Sequence, residues 1–243
     1  VFNTPTAEGD SITLTFGGHS VRFDFGLVNV AANQNLPFAD ALYVLIGGPR
    51  SEVYDGGNGD DALFGGGGPD TLAGHAGDNV LQGNQGDDVL TAGDGRDFIY
   101  GGQGDDLIVT GPGGGGRGDF AEGNKGDDTI QGGGGGDILL GGQGNDSIQG
   151  GGGDDWMLGD RGDDTLSGGP GGDVFFAVPE GGDDRVLDFN GAEGDRVRVE
   201  AGVPFEIHQF GADTIILVNH GSSTITLVGV QASSLHTDWI VGV

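Results

Sequence analysis

The sequence predicts an all-β protein, a parallel β-roll, which is a right-handed β-helix of nonapeptide repeats, with β-strand caps at both ends. Three observations predict this fold: a nine-residue repeat through the middle of the chain, 57 glycines among 243 residues, and a formal net charge of −29. Glycine loses more backbone freedom on folding than any other residue, so apolar burial alone can hardly offset the cost. Cations must therefore neutralise the acidic groups and help to hold the chain together.

The repeat has the form G-G-x-G-x-D-x-U-x, where U is a large apolar residue. Its thirteen units begin at Gly56, Gly65, Gly74, Gly83, Ala92, Gly101, Gly114, Gly123, Gly132, Gly141, Gly150, Gly159 and Gly168. A four-residue insertion at 110–113 separates the sixth unit from the seventh, and the alternation of the units keeps its phase across it. A flexible linker has no reason to hold an acid and an aliphatic residue at fixed positions, so we expect an ordered, continuous array.

Each position of the unit has its own physical meaning. Glycine at the first, second and fourth positions permits positive φ, so the backbone can turn tightly and aim its carbonyl oxygens at one point. The x-U-x triplet predicts a short strand with U facing inward and its neighbours facing outward. Two units form one coil, and successive coils stack at about 4.8 Å, the spacing of a β ladder.

The sixth position is acidic in every unit except one, where Asn79 stands. Its twelve aspartates are Asp61, Asp70, Asp88, Asp97, Asp106, Asp119, Asp128, Asp137, Asp146, Asp155, Asp164 and Asp173. Calcium binds the oxygens of carboxylates and backbone carbonyls, whereas zinc and copper favour the His or Cys ligands that these units lack, apart from His75. Stacked glycine turns that each carry one aspartate therefore predict calcium sites.

On these residues the chain resembles the repeats-in-toxin (RTX, haemolysin-type calcium-binding repeat) family of proteins exported by type I secretion. The resemblance implies that each ion lies between unit n and unit n+2, held by the sixth-position aspartates and by carbonyls of the glycine turns. The turn glycines expected to contribute are Gly57, Gly59, Gly66, Gly68, Gly102, Gly104, Gly133, Gly135, Gly142, Gly144, Gly151 and Gly153. Thirteen units leave eleven sites between unit n and unit n+2, or nine if the insertion breaks the stack. The degenerate turns at Asn79 and Arg117 should lower this number, so we expect about 7 to 11 calcium ions.

The repeat divides the chain into three predicted parts: an N-terminal β cap at 1–55, the roll at 56–176, and a C-terminal β cap at 177–243. Two alternations in the first part, joined by Gly17-Gly18, predict a capping hairpin. Its apolar residues are Ile12, Leu14, Phe16, Val21, Phe23 and Phe25. The apolar segment Leu36 to Ile46 fits either a strand or one helical stretch.

Two segments after the repeats, 181–189 and 194–199, resemble the capping strands that follow the roll in secreted proteases, lipases and alginate epimerases of this family. The final segment, 238–243, is acidic and then apolar, which is similar to the tail that type I exporters recognise. A terminal edge strand packed on the roll explains the same pattern.

Alternate units lie on opposite sheets, so the outward positions seven and nine form two different faces. One face carries a long apolar row that includes Phe98, Phe120, Ile138, Leu140, Trp156, Leu158 and Phe176. An exposed row of this length predicts that the terminal segments of the chain cover it, or that it serves self-association or a partner. The acidic charge disfavours nucleic acid as a partner. The sequence contains no run of about 18 apolar residues, so we expect no membrane span.

We expect a protein that is not an enzyme, because the H-E-x-x-H and G-x-S-x-G motifs of the family's proteases and lipases are missing from the sequence. The resemblance implies a secreted protein, extracellular or at the cell surface, that folds on binding calcium and has a structural, surface or assembly role. Two alternatives stay open: an export and folding module of a larger exoenzyme, and a carbohydrate-binding accessory module.

Overall fold

The computed structural model describes residues 11–16, 19–24, 44–113, 117–236 and 238–242. The chain divides into two units, Val1–Pro37 and Phe38–Val243. In the first unit Ser11–Phe16 and His19–Asp24 pair in the antiparallel direction, as expected for the two strands of the hairpin. The turn Gly17-Gly18, Phe25 and residues 36–43 lie outside the described residues, and the capping role of the hairpin stays a prediction.

The second unit is a parallel β-roll of two sheets, which confirms the predicted fold class. Within the described residues, sheet A contains Val44–Ile46, Ala62–Gly67, Val80–Gln85, Phe98–Gln103, Phe120–Lys125, Ile138–Gln143, Trp156–Arg161, Val174–Ala177, Arg196–Val199 and Ile240–Gly242, in that spatial order. All neighbours in sheet A are parallel.

Sheet B is parallel along the roll and ends in an antiparallel extension. Its parallel strands are Val53–Asp55, Thr71–Ala76, Val89–Asp94, Leu107–Val109, Thr129–Gly134, Ser147–Gly152, Thr165–Ser167, Asp183–Val186 and Ser223–Leu227. Asp213–Val218 pairs antiparallel with Ser223–Leu227, and Phe205–Phe210 pairs antiparallel with Asp213–Val218. Two short 3₁₀ turns, Asn219–Gly221 and Ala232–Ser234, complete the regular structure of the described chain.

The core between the sheets consists of the U residues, as the repeat predicts. Each is at most 1% exposed: Leu63, Leu72, Leu81, Leu90, Ile99, Ile108, Ala121, Ile130, Leu139, Ile148, Met157, Leu166 and Phe175. Val186 and Val197, both fully buried, continue this core beyond the last repeat. One inward residue per strand makes the core thin, so burial of apolar area is only part of what stabilises the fold.

Most strands are longer than the predicted x-U-x triplet. Val80–Gln85, for example, continues through the first three positions of the next unit, where Asn84 pairs with Gly102 and Gln85 pairs with Gln103. The reason is that the glycine turns also stack from coil to coil, so their backbone groups join the same ladder.

The roll continues across the insertion, since Phe98–Gln103 pairs directly with Phe120–Lys125. The backbone N–H of Thr110 donates to the carbonyl of Gln131 at 2.9 Å, and its hydroxyl donates to the carbonyl of Gly132. Thr110 therefore occupies the first position of a regular turn. The extra residues follow Pro112 and precede Arg117, rather than lying at 110–113.

The two sheets extend beyond 56–176 at both ends, from Val44–Ile46 to Ile240–Gly242. The boundaries of the three predicted parts nevertheless stay a prediction, because the sheets themselves do not mark them. In the apolar row on sheet A, Phe98 is 38% exposed and Ile138 and Trp156 are 44% exposed. Self-association through this row also stays a prediction. Among the described residues there is no helix long and apolar enough to cross a membrane.

Candidate metal centre

The sixth-position aspartates form two ladders, one along each edge of the roll. Edge A follows the strands of sheet A and contains Asp70, Asp88, Asp106, Asp128, Asp146 and Asp164; edge B follows the strands of sheet B and contains Asp61, Asn79, Asp97, Asp119, Asp137, Asp155 and Asp173. All thirteen residues are at most 3% exposed. The nonapeptide therefore turns its acid inward at every corner, where the glycines leave room for it.

One carboxylate oxygen of each sixth-position aspartate from Asp70 to Asp173 accepts a hydrogen bond from the neighbouring coil. The backbone N–H of Asp88 donates to Oδ1 of Asp106, and that of Asp128 donates to Oδ1 of Asp146, both at 2.8 Å. The same bond recurs from Asp61 to Asp173 at 2.7–2.9 Å. Hydrogen bonds to a carboxylate favour its charged form and fix its orientation.

The second oxygen, Oδ2, faces the interior without such a bond. Among the described residues, this buried atom has no hydrogen-bond partner in Asp88, Asp106, Asp128, Asp137, Asp146, Asp155 and Asp173. Burying a carboxylate oxygen without a partner is costly unless a cation or a proton compensates it. A buried carboxylate oxygen that lacks a compensating partner therefore recurs in turn after turn.

Burial raises the pKa of these carboxyls far above the ordinary aspartate value of 3.8. Desolvation is the main cause, and it raises the pKa of Asp106, Asp128 and Asp146 to about 7. Like charges on neighbouring coils act in the same direction, as Asp88 does on Asp106. Without a counter-ion, the carboxylates at neutral pH thus oppose the fold that buries them.

The oxygen atoms near Oδ2 are of the type that a hard cation takes as ligands. A methyl carbon built on Gly83 would lie 2.1 Å from Oδ2 of Asp88 and 2.7 Å from the carbonyl oxygen of Gly101. The absence of a side chain at Gly83 thus leaves room for two oxygens from successive coils, and carboxylate and carbonyl oxygens are the ligands that calcium takes. The residues fit calcium in the type and burial of their donor atoms.

Within the described parts of the chain, no group of three or more acidic or histidine side chains converges on one point. Each coil contributes a single inward carboxylate per edge, so an ion held there would take most of its oxygens from backbone carbonyls. This donor set disfavours zinc and copper, which prefer nitrogen and sulfur ligands.

The predicted turn glycines lie where the backbone needs them. Gly102 and Gly104 have φ of 127° and 121°, and every other glycine predicted to take part in a site also has positive φ. At the second position His75, Asn84, Asn124 and Asp160 adopt positive φ as well, so glycine is favoured there but is not obligatory.

The expectation of positive φ at the first position was wrong. Gly83 and Gly101 lie inside strands and are not among the residues with positive φ. Glycine is suited to this position for another reason: the position faces inward, and a side chain would meet the aspartate carboxylate of the same unit, as Gly83 shows. Ala92 and Thr110, which are both fully buried, are the exceptions.

Three residues that the repeat pattern missed extend the two ladders. The N–H of Glu52 donates to Oδ1 of Asp70 at 2.7 Å, and burial raises the pKa of the Glu52 carboxyl. At the other end, Asp184 and Asp195 accept from the N–H groups of Asp164 and Asp173 at 3.2 and 3.0 Å. Each of these acids stands two positions before an apolar residue, as in the repeat, and this spacing was a signal in the sequence.

A second, exposed ladder formed by the fifth position was also missed. The N–H of Asp105 donates to Oδ1 of Asp87 at 3.0 Å, and the N–H of Asp127 donates to Oδ1 of Asp105 at 2.8 Å. These bonds run from a later coil to an earlier one, opposite to those of the buried ladder. Where the fifth position carries Asp or Asn, the two ladders together tie a turn to both of its neighbours.

The two turns expected to be degenerate behave differently. Oδ1 of Asn79 keeps its place in the ladder by accepting from the N–H of Asp61 at 2.9 Å, while its Nδ2 donates to the carbonyl of Gly77 at 2.9 Å. Arg117 faces solvent, with Nη1 3.7 Å from the carboxylate of Asp78. Asn79 thus satisfies both its side-chain atoms within the protein and needs no cation.

Comparison with known proteins agrees with this arrangement. The family model for the RTX calcium-binding nonapeptide repeat matches residues 46–81, 55–90, 74–108, 82–115, 113–148 and 140–175, which together span more than half of the chain. No curated protein is detectably similar to it.

Two of the solved structures that are similar to the chain are those of a lipase and of a subunit of an epimerase. The extracellular lipase LipA from Serratia marcescens is 18% identical with a TM-score of 0.37, and the match covers 88% of this chain and 42% of the lipase. The AlgE6R3 subunit of the Azotobacter vinelandii mannuronan C5-epimerase is 28% identical with a TM-score of 0.25, and covers 56% of this chain and 78% of the subunit. This chain thus spans less than half the length of the lipase. Given the repeat match and the buried aspartate ladders, the chain belongs to the RTX calcium-binding nonapeptide repeat family.

Proposed function

We propose that this chain is a secreted calcium-binding protein whose roll folds when calcium binds in its turns outside the cell, and whose role is structural, at a surface or in an assembly. The observation that carries the proposal is the row of buried Oδ2 atoms that have no hydrogen-bond partner in the described part of the chain, seen in Asp88, Asp106 and Asp128 among others. When bound, calcium supplies the positive charge and the oxygen coordination that these atoms lack.

We assign the ligands to the sixth-position aspartates from Asp61 to Asp173 and to carbonyls of the glycine turns, about 7 to 11 ions in all. The burial of Asp184 and Asp195 supports adding these two residues to the set. Asn79 lacks the charge, so its turn is the one that this assignment leaves weakest.

The chain's own residues make folding depend on calcium. The unfolded chain lacks the stacked turns, so ions that bind only the folded form stabilise it by RT ln(1 + [L]/Kd) per independent site. Extracellular modules typically bind calcium with Kd of about 10⁻⁴ to 10⁻³ M. Sites of this strength would be empty in an exporting cell and filled outside it. The proposal gives the chain no catalytic role.

Equilibrium dialysis with calcium, followed by atomic emission, tests the proposal. We expect about 7 to 11 ions per chain at millimolar calcium and fewer in Asp106→Asn/Asp128→Asn. The matched control is Asp105→Asn/Asp127→Asn, which removes the same charges one residue earlier, on the exposed ladder. Absence of calcium binding to the wild-type chain, or an equal loss in the control, would refute the assignment.

A second candidate function, carbohydrate binding, is favoured by one observation, a polar groove on the outer surface of sheet A. It is compatible with calcium-dependent folding, because the groove is formed by the outward residues of the same strands.

A further inference from the structure

A shallow groove of about 510 Å³ runs along the outer face of sheet A, next to edge A. It crosses strands from Val80–Gln85 to Trp156–Arg161, which at about 4.8 Å per rung is a length of roughly 19 Å. Its lining residues are Gln82, Asn84, Gln85, Tyr100, Gly102, Gln103, Glu122, Asn124, Lys125, Gly142, Gln143 and Asp160.

The third position of the unit forms one side of this groove. Gln85, Gln103, Lys125, Gln143 and Arg161 stand in register on successive strands, all of them exposed. This position is free to vary in the repeat, so neither the roll nor the calcium turns require long polar side chains there.

The opposite edge shows that the row is not a product of the repeat. On edge B the same position reads Asn58, Ala76, Asp94, Pro112, Gly134, Gly152 and Pro170. These residues are short or cyclic, and they present no row of amides or cations. The chain therefore concentrates long hydrogen-bonding side chains on one edge alone.

The amide side chains are available to a ligand. Among the described residues, those of Gln85, Gln103 and Gln143 make no hydrogen bond, whereas Asn84 and Asn124 donate to nearby backbone carbonyls at 3.3 and 3.4 Å. Each glutamine amide offers two donors and one acceptor, the combination that matches a hydroxyl group. A row of them suits a ligand with hydroxyls repeated along its length.

The charges in and around the groove favour a neutral ligand over an anionic one. Glu122 and Asp160 are balanced by Lys125 and the adjacent Arg161, so the groove is locally neutral on a chain whose net charge is −29. An anionic polymer would gain little in the groove and would be repelled by the rest of the surface. Tyr100, half-buried against Phe120 with ring centroids 5.5 Å apart, adds an apolar wall on which a sugar ring can pack.

From this juxtaposition we propose that the sheet A groove binds a neutral, linear polysaccharide that lies along the roll axis. The glutamine row makes hydrogen bonds to its hydroxyls, and Tyr100 packs against a ring. The proposal goes beyond calcium-dependent folding, since it assigns a ligand to outward residues that no calcium turn uses.

The test is isothermal titration calorimetry of the full chain in saturating calcium with neutral hexasaccharides, namely cellohexaose, maltohexaose and laminarihexaose, and with hexagalacturonate as the anionic counterpart. We expect at least one neutral probe to bind. The double variant Gln85→Ala/Gln103→Ala should weaken that binding about tenfold, because each lost hydrogen bond contributes a factor of several. Gln131→Ala/Gln149→Ala, which truncates two exposed glutamines of sheet B, is the matched control and should bind like the wild type.

Three results would overturn the proposal: no binding of any neutral probe to a chain shown by circular dichroism to be folded in calcium, tighter binding of hexagalacturonate than of all neutral probes, or an equal loss in the control. The first result leaves calcium-dependent folding standing. Conversely, a chain that binds a neutral probe equally well in EGTA would refute calcium-dependent folding and leave the groove assignment intact.

Discussion

The backbone N–H of Asn79 donates a hydrogen bond of 2.7 Å to Oδ1 of Asp97, so an amide and a carboxylate are consecutive members of one buried ladder. The two side chains differ at their second polar atom, which is Nδ2 in Asn79 and Oδ2 in Asp97. Nδ2 of Asn79 donates to the carbonyl of Gly77, while Oδ2 of Asp97 is buried and burial raises the pKa of Asp97 to about 7. The ladder therefore orients the side chain, and the second atom decides whether the turn requires a cation.

Replacing Asn79 by aspartate should create the missing charge. We expect Asn79→Asp to bind about one more calcium ion per chain and its stability to depend more steeply on the calcium concentration, since it loses the bond to Gly77 and buries a charge that needs a cation. Asn145→Asp is the control, because Asn145 is exposed and only its Oδ1 is used, as acceptor from the N–H of Asp163. Calcium dialysis, and urea unfolding repeated at several calcium concentrations that fold the chain, measure both effects; unchanged behaviour of Asn79→Asp would contradict the role given to the second atom.

Without calcium, stability should fall as the pH rises. The folded pKa of Asp106, Asp128 and Asp146 is about 7, above the ordinary value of 3.8, so the folded chain binds more protons than the unfolded chain between these limits. The stabilisation is fully present below about pH 4 and is lost as the pH rises through 7. In EGTA, far-UV circular dichroism should therefore show more β signal at pH 5 than at pH 8.

The pH effect has its own matched pair of variants. Asp106→Asn/Asp128→Asn should flatten the pH dependence in EGTA, whereas Asp105→Asn/Asp127→Asn should leave most of it, because those two side chains are exposed. A calcium-free wild-type chain that is more stable at pH 8 than at pH 5 would contradict the argument.

The fourth-position glycines should be intolerant of any side chain. Gly104 has φ of 121°, and a Cβ there would lie 2.3 Å from the carbonyl oxygen of Gly86, so Gly104→Ala should cost about 1–3 kcal/mol in calcium. Gly152→Ala is the control, since no atom lies within 4 Å of a Cβ at that position and its φ is not positive. Urea unfolding in saturating calcium would show the difference, and equal stability of the two variants would disprove the strain argument.

The inward residues should carry the apolar part of the stability. Leu139 is fully buried and the adjacent Ile138 is 44% exposed on the outer face. Leu139→Ala should therefore cost about 2–5 kcal/mol in calcium, and Ile138→Ala much less. Unfolding by urea compares the two variants directly. An Ile138→Ala variant that loses as much as Leu139→Ala would instead indicate that the outer row of sheet A is covered, for example by a second copy of the chain.

The period of the repeat was sufficient to predict which residues are buried. The apolar residue at the eighth position and the acid at the sixth recur in so many units that their burial follows from the alternation of a strand and the requirement of the turn. The parallel pairing and the continuity across the insertion follow from the same period.

The features that were not predicted depend on three-dimensional detail or on units that lack the pattern. The unit at 47–55 keeps two glycines and an acid, Glu52, but has Arg50 at the fourth position, so it did not match the repeat. The insertion was misplaced because a run of glycines, 113–116, offers no side chain to fix the register. The reason for glycine at the first position depends on where Oδ2 of the aspartate points, which only the folded coil shows.

The most direct test of calcium-dependent folding is far-UV circular dichroism of the purified chain at pH 7.5, titrated with calcium from EGTA to about 10 mM, with magnesium as the control ion. The buried and uncompensated carboxylates predict a cooperative gain of β signal in calcium alone, because magnesium demands a stricter octahedral geometry and gives up its waters reluctantly. A chain that is already folded in EGTA at this pH would contradict the account.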